Sequence, residues 1–167
     1  TIRLDALVSA ITKFSESVKN KCAGVDQRLG TADDVDHRVA IVGFSSDEST
    51  YQNTELLTGV PITQGRAHTK LDQTSNVPYY YPTGYVQNGV MYSRITAAQY
   101  GKALQSMKTT AGQTSVSNAI NALTAHGGTN TLDGLTMAEK IFANTDSTDR
   151  NRVVVLFTDG DTDSSRS

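Results

Sequence analysis

The sequence predicts an α/β fold, a doubly wound, mostly parallel sheet with helices on both faces, and three observations predict it. Two short runs, Arg38-Val39-Ala40-Ile41-Val42-Gly43-Phe44 and Val153-Val154-Val155-Leu156-Phe157, are almost continuously apolar, as strands covered on both faces are. Segments with apolar residues at steps of three or four alternate with them, as in parallel layered folds. The second run ends at Thr158-Asp159-Gly160-Asp161, and such folds place their ligands at the carboxyl ends of strands.

Each element has its own signal. Over residues 2–18, Leu4, Leu7, Val8, Ile11, Phe14 and Val18 form the single stripe of a helix packed on a flat surface. Residues 23–37 have no period and carry Asp26, Asp33, Asp34 and Asp36, which reads as a solvated loop rather than a calcium site. The strand at 38–44 follows. Residues 47–83 are polar and turn-rich, end in Pro78-Tyr79-Tyr80-Tyr81-Pro82, and are expected to form a surface insertion, reaching to about residue 96 with the ribbon described next. The Tyr triplet suits a ligand-contact patch and packing on its own domain equally well. Asn88-Gly89 between two strand-like runs signals a type I′ hairpin, expected at a sheet edge. Helices are expected over 97–107, from Tyr100, Leu104 and Met107, and over 115–123, from Val116, Ile120 and Leu123. A Gly127-Gly128-Thr129-Asn130-Thr131 turn leads into a further helix over 132–142 with Leu135, Ala138, Ile141 and Phe142 inward. The strand at 153–157 closes the pattern.

Size and composition narrow the function. The 167 residues suit one domain, 1–167, and 37% apolar content can build a core. Fifteen Lys and Arg against seventeen Asp and Glu give a net charge of -2 without a basic run, which disfavours nucleic acid as a partner. No apolar stretch approaches the ~20 residues of a membrane span, and the chain does not open on a signal peptide, so a soluble segment is expected. The lone Cys22 excludes an intrachain disulfide and reads as a half-buried thiol at a helix end. Because the chain starts inside a helix and stops soon after a strand, it reads as cut at both ends.

The chemistry-bearing residues are oxygen donors. Thr129 in the Gly-Gly-Thr turn and Asp159 after the last strand are a hydroxyl and a carboxylate on separate loops of one sheet edge, the donor type that Mg²⁺ prefers. Taken alone, the first motif is also an ordinary helix cap and the second an ordinary turn. Asp159 and Asp161 after a strand also resemble the start of a Mg²⁺-dependent phosphohydrolase, but Asp163 and the position on the last strand depart from it. A serine hydrolase is disfavoured because His37, His68 and His126 lie in polar segments and no Gly-x-Ser-x-Gly elbow exists.

In order and spacing, the 38–46 run, residues 122–131 entering a helix, and Arg152 through Gly160 resemble the von Willebrand factor A domain over nearly the whole chain, closest to bacterial surface-protein versions. The resemblance implies a Rossmann-like sheet and a metal-ion-dependent adhesion site. Thr129 and Asp159 map to that site, which holds Mg²⁺ (or Mn²⁺ or Ca²⁺). Its other half, an Asp-x-Ser-x-Ser segment before the first helix, lies outside this sequence; Asp163-Ser164-Ser165-Arg166-Ser167 has that spelling but no strand before it. The implied role is non-enzymatic: a protein ligand supplies an acidic residue to the metal, within a longer extracellular or cell-surface polypeptide. The alternative within the same fold is a degenerate, metal-free scaffold for protein contacts. The missing central strand leads one to expect a chain prone to aggregate alone.

Overall fold

A computed structural model of the chain describes residues 2–46, 51–59, 68–72, 85–87, 90–92, 95–123, 129, 131–146 and 150–158. Helix α1 spans Ile2–Cys22, one turn beyond the predicted stripe. Its extra turn is held from outside the helix: Cys22 is fully buried, and its carbonyl accepts the Val35 N–H at 2.9 Å. Tertiary packing extends the helix where local periodicity had ended.

The predicted strand at 38–44 is two strands. β1 (Arg38–Val39) pairs antiparallel with β7 (Gln105–Ser106), whereas β2 (Val42–Ser46) pairs antiparallel with β3 (Tyr51–Leu56), and β3 with β4 (His68–Asp72). Every pairing among the described residues is antiparallel. The expected parallel partnership of the 38–44 and 153–157 runs is therefore not among them: residues 151–158 run outside any described strand. The registers Val42↔Leu56 and Tyr51↔Asp72 also bring strands into a region expected to be an irregular insertion. β3 escaped notice because Tyr51-Gln52-Asn53-Thr54-Glu55 has no apolar alternation, and only the burial of Leu56, Leu57 and Thr58 at its end ties it to the core.

β5 (Tyr85–Gln87) and β6 (Val90–Tyr92) form the expected antiparallel ribbon, with Gln87 opposite Val90. Asn88 and Gly89 themselves lie outside the described residues, as do the Tyr79–Tyr81 triplet, Asp159, Asp161 and the 163–167 motif.

The predicted 97–107 helix ends early. α2 (Ala97–Gly101) starts with a capping box in which the Thr96 hydroxyl accepts the Gln99 N–H and the Gln99 side chain accepts the Thr96 N–H. Beyond it, Gln105 and Ser106 are drawn into β7 against β1, so sheet pairing overrides the helical spacing of Leu104 and Met107. α3 (Thr110–Asn121) begins five residues before the expected start, because the Thr109 hydroxyl caps it by accepting the Gly112 N–H. α4 (Thr131–Ala143) matches its prediction to within one residue at each end.

The core divides by strand parity. Val39, Ile41 and Leu57 join Ile11, Met107, Val116 and Ile120 under α1 and α3. Leu56 joins Ile95, Tyr100, Met137 and Ile141 under α2 and α4, with Ala40 and Val42 packed against that cluster. Successive side chains of an extended strand point to opposite faces, so this alternation places helices on both faces of the central strands. An α/β layering results even though the described ladders are antiparallel.

Candidate functional site

An open groove of about 1220 Å³ lies between the 38–44 segment and residues 151–158, with α1 on one wall and α4 on the other. The 151–158 segment touches both walls. Phe157 meets Phe14 of α1 edge to face, with ring centroids 5.8 Å apart, while the Arg152 guanidinium sits 5.6 Å from the Phe142 ring of α4. Between these anchors Val153, Val154, Val155 and Leu156 are 73%, 49%, 46% and 47% exposed.

Thr129 lies two residues before the start of α4, is half-buried, and lines this groove. Thr158 lines the same groove. Its sequence neighbour Asp159, the second predicted metal ligand, falls outside the described residues. Among the described residues no group of three or more His, Cys, Asp or Glu side chains is placed to share an ion.

The acidic loop is organised by its own carboxylates. Asp33 Oδ2 accepts the Val25 N–H at 2.7 Å and the Asp26 N–H at 3.1 Å, and Asp33 Oδ1 accepts the Thr31 hydroxyl at 2.8 Å. Those backbone and hydroxyl donors hold the Asp33 carboxyl below its ordinary range. Asp34 accepts the Gly30 N–H and lies 3.6 Å from the Lys108 ammonium. Gly24 makes the fold of this loop possible: its φ of +64° is left-handed, and a side chain there would strike the Asp33 backbone.

Asp36 is a hub that sequence reasoning missed. It accepts the Ser106 hydroxyl of β7, pairs with Arg38 of β1 at 3.1 Å, and lies 3.5 Å from Arg150, which also donates to the Asp36 carbonyl at 2.7 Å. Burial pushes its carboxyl up, but the Ser106 hydroxyl and the two guanidinium groups outweigh it, leaving the group below its ordinary range. The Asp36-x-Arg38 spacing was visible as a local signal; Ser106 and Arg150, 70 and 114 residues away, were not. Nearby, burial pushes the Cys22 thiol up, against a weak bond from Sγ to the His37 carbonyl at 3.9 Å. A buried thiol with a raised pKa is poorly reactive.

Residues 89–161 match the family model of the von Willebrand factor type A domain. This stretch, a little under half of the chain, is similar to a von Willebrand factor type A domain. No curated protein and no solved structure matches it. The von Willebrand A match runs from the β5–β6 ribbon past the last apolar run, so both Thr129 and Asp159 fall inside it. It also assigns the chain to the α/β, Rossmann-like class. Domains of this family are generally non-enzymatic modules of protein interaction and occur in extracellular or surface proteins. No described helix is long and apolar enough to cross a membrane.

Proposed function

We propose that this von Willebrand A domain binds an acidic group of a protein partner through a divalent cation, Mg²⁺ or a close substitute, held by Thr129 and Asp159. The observation that carries this reading is that Thr129 and Thr158, the neighbour of Asp159, line one end-to-end groove although they are 29 positions apart in sequence. The donor chemistry fits. A threonine hydroxyl and a carboxylate are hard oxygen ligands, and the remaining positions of an octahedral Mg²⁺ are filled by water, by ligands outside the described residues, or by the partner.

Bound there, the cation supplies a Lewis-acidic position that takes a carboxylate. The protein's own contribution is placement. Thr129 stands two residues before the head of α4, where the positive end of the helix dipole favours an approaching anion. Recognition of a carboxylate in this way requires no catalytic base. The finer reading is a doubly wound parallel sheet in the whole domain, on an extracellular or cell-surface polypeptide of bacterial type with further domains.

Calorimetric titration with Mg²⁺ and Mn²⁺ tests the site, followed by binding of a fluorescent Glu-containing peptide with the cation or with EDTA. Thr129→Ala and Asp159→Ala are expected to weaken cation binding at least about tenfold, the worth of one good ligand. Asp161→Ala and Asp163→Ala should leave it near wild type. Equal losses in all four variants, or peptide binding untouched by EDTA, would overturn the metal reading and leave a metal-free scaffold for protein contacts.

A further inference from the structure

Gly134, the fourth residue of α4, heads the stripe of that helix that faces inward. Gly134, Met137 and Ile141 fall at steps of three and four, and all three are buried. The stripe is graded in size: its two lower residues are large, and its head has no side chain. Glycine is a poor helix former, so local propensity does not account for it. Its surroundings do. A Cβ at residue 134 would stand 2.8 Å from Phe44 Cδ1 and 3.0 Å from Phe44 Cγ.

Phe44 belongs to β2, where Val42 packs on the cluster beneath α2 and α4. Two residues further along a strand the side chain returns to the same face, which directs the Phe44 ring at α4. The ring is a stop on which the bare backbone at 134 rests. Phe44, Gly134 and Thr129 line one groove, and Thr129 precedes Gly134 by only five positions.

Magnitudes decide what this contact controls. Carbon atoms in contact sit about 3.5–4.0 Å apart, so a methyl group at 134 must open the gap by about 0.7 Å or more. Met137 and Ile141 hold the helix below it, so the head of α4 moves at least as far as residue 134. Ligand distances in a metal site hold within about 0.2 Å. A displacement of that size is more than a cation on the Thr129 hydroxyl accepts.

We propose that Phe44 and Gly134 are positioning residues: their contact sets the place of Thr129 and, through it, the affinity of the site for its cation. The affinity part rests on the cation reading above, whereas the placement of Thr129 can be read without any cation.

The experiment compares wild type, Gly134→Ala, Phe44→Ala and the double variant, each at a temperature where circular dichroism shows it folded. Calorimetric titration with Mg²⁺ gives the affinity, and ¹⁵N NMR of the Thr129 amide gives its placement. Gly134→Ala should weaken cation binding about tenfold, the scale of a lost supporting contact, and move the Thr129 resonance. Phe44→Ala, which deletes the stop, should weaken binding a few-fold and move the same resonance. In the Phe44→Ala background, Gly134→Ala should cost less than about threefold, because the ring it strikes is gone; such non-additivity marks a direct contact. Gly112→Ala, which drives a methyl group into the Ser106 carbonyl beneath α3, should lower stability and leave the affinity unchanged. A Thr129 resonance unmoved in both single variants, additive losses in the double variant, or an equal loss in Gly112→Ala would each overturn the proposal. A wild type that binds no cation while the Thr129 resonance responds as expected would overturn the cation reading and confine the contact to placing Thr129.

Discussion

Single side chains decide how distant parts of this chain meet. Asp36 joins the loop, β1, β7 and the 150–158 segment through Ser106, Arg38 and Arg150. Its carboxyl lies below the ordinary range in the folded chain, so the charged form binds more tightly to the fold than to the unfolded chain. The stability it adds is present above the unfolded value of about 3.9 and is lost as pH falls through the lower folded value. Asp36→Asn is expected to cost about 1 kcal/mol at neutral pH, a figure kept small because a third of the side chain is exposed. Urea unfolding at pH 7 and again near pH 3 is the check. The variant should close most of its gap to wild type at the lower pH, and a gap that persists would remove the electrostatic account. Thr58 acts similarly without charge: fully buried, its hydroxyl accepts the Ile41 N–H at 3.1 Å between the two strand pieces.

At the scale of elements, packing overrules propensity in both directions. Gly112 sits in the first turn of α3, where alanine would favour the helix by about 1 kcal/mol. A methyl group there would overlap the Ser106 carbonyl, so α3 approaches β7 as closely as it does because residue 112 is glycine. Gly112→Ala should therefore destabilise the domain by about 1–3 kcal/mol, the cost of overpacking. Ser117→Ala on the exposed side of the same helix should be neutral or slightly stabilising. Thermal or urea unfolding separates the two, and a stabilised Gly112→Ala would show that α3 can shift away from β7. The short α2 illustrates the opposite balance: its capping box starts it reliably, yet pairing of Gln105 and Ser106 with β1 stops it after five residues.

At the scale of the molecule the groove between the 38–44 segment and 151–158 joins α1 to α4, and Phe157 is the apolar anchor of its 151–158 wall on α1. Removing the ring should cost about 1–2 kcal/mol, from the lost aromatic pair and its buried area. The sharper effect is local. In Phe157→Ala, native-state trypsin should cut after Arg150 and Arg152 several-fold faster than in wild type, while sites in α1 keep their wild-type rates. Uniform acceleration at all sites would mean that Phe157 supports the global fold instead of this one segment.

The legible part of the sequence was the part written in local periodicity and turn chemistry. The stripe from Leu4 to Val18 specified α1, the Leu135–Ile141 spacing specified α4, and Asn88-Gly89 specified the β5–β6 pairing. The order of the apolar runs and the Gly-Gly-Thr and Thr-Asp-Gly motifs was enough to point to the von Willebrand A family, whose model matches residues 89–161. Partner choice was decided only by the tertiary structure. Nothing within Arg38–Phe44 states that it splits into one strand facing β7 and another facing β3; that depends on residues up to 68 positions away. The Asp36 hub and the approach of α3 to Ser106 were hidden for the same reason. A hydrogen bond or a close contact constrains geometry at both of its ends, while a residue's spelling constrains only its own.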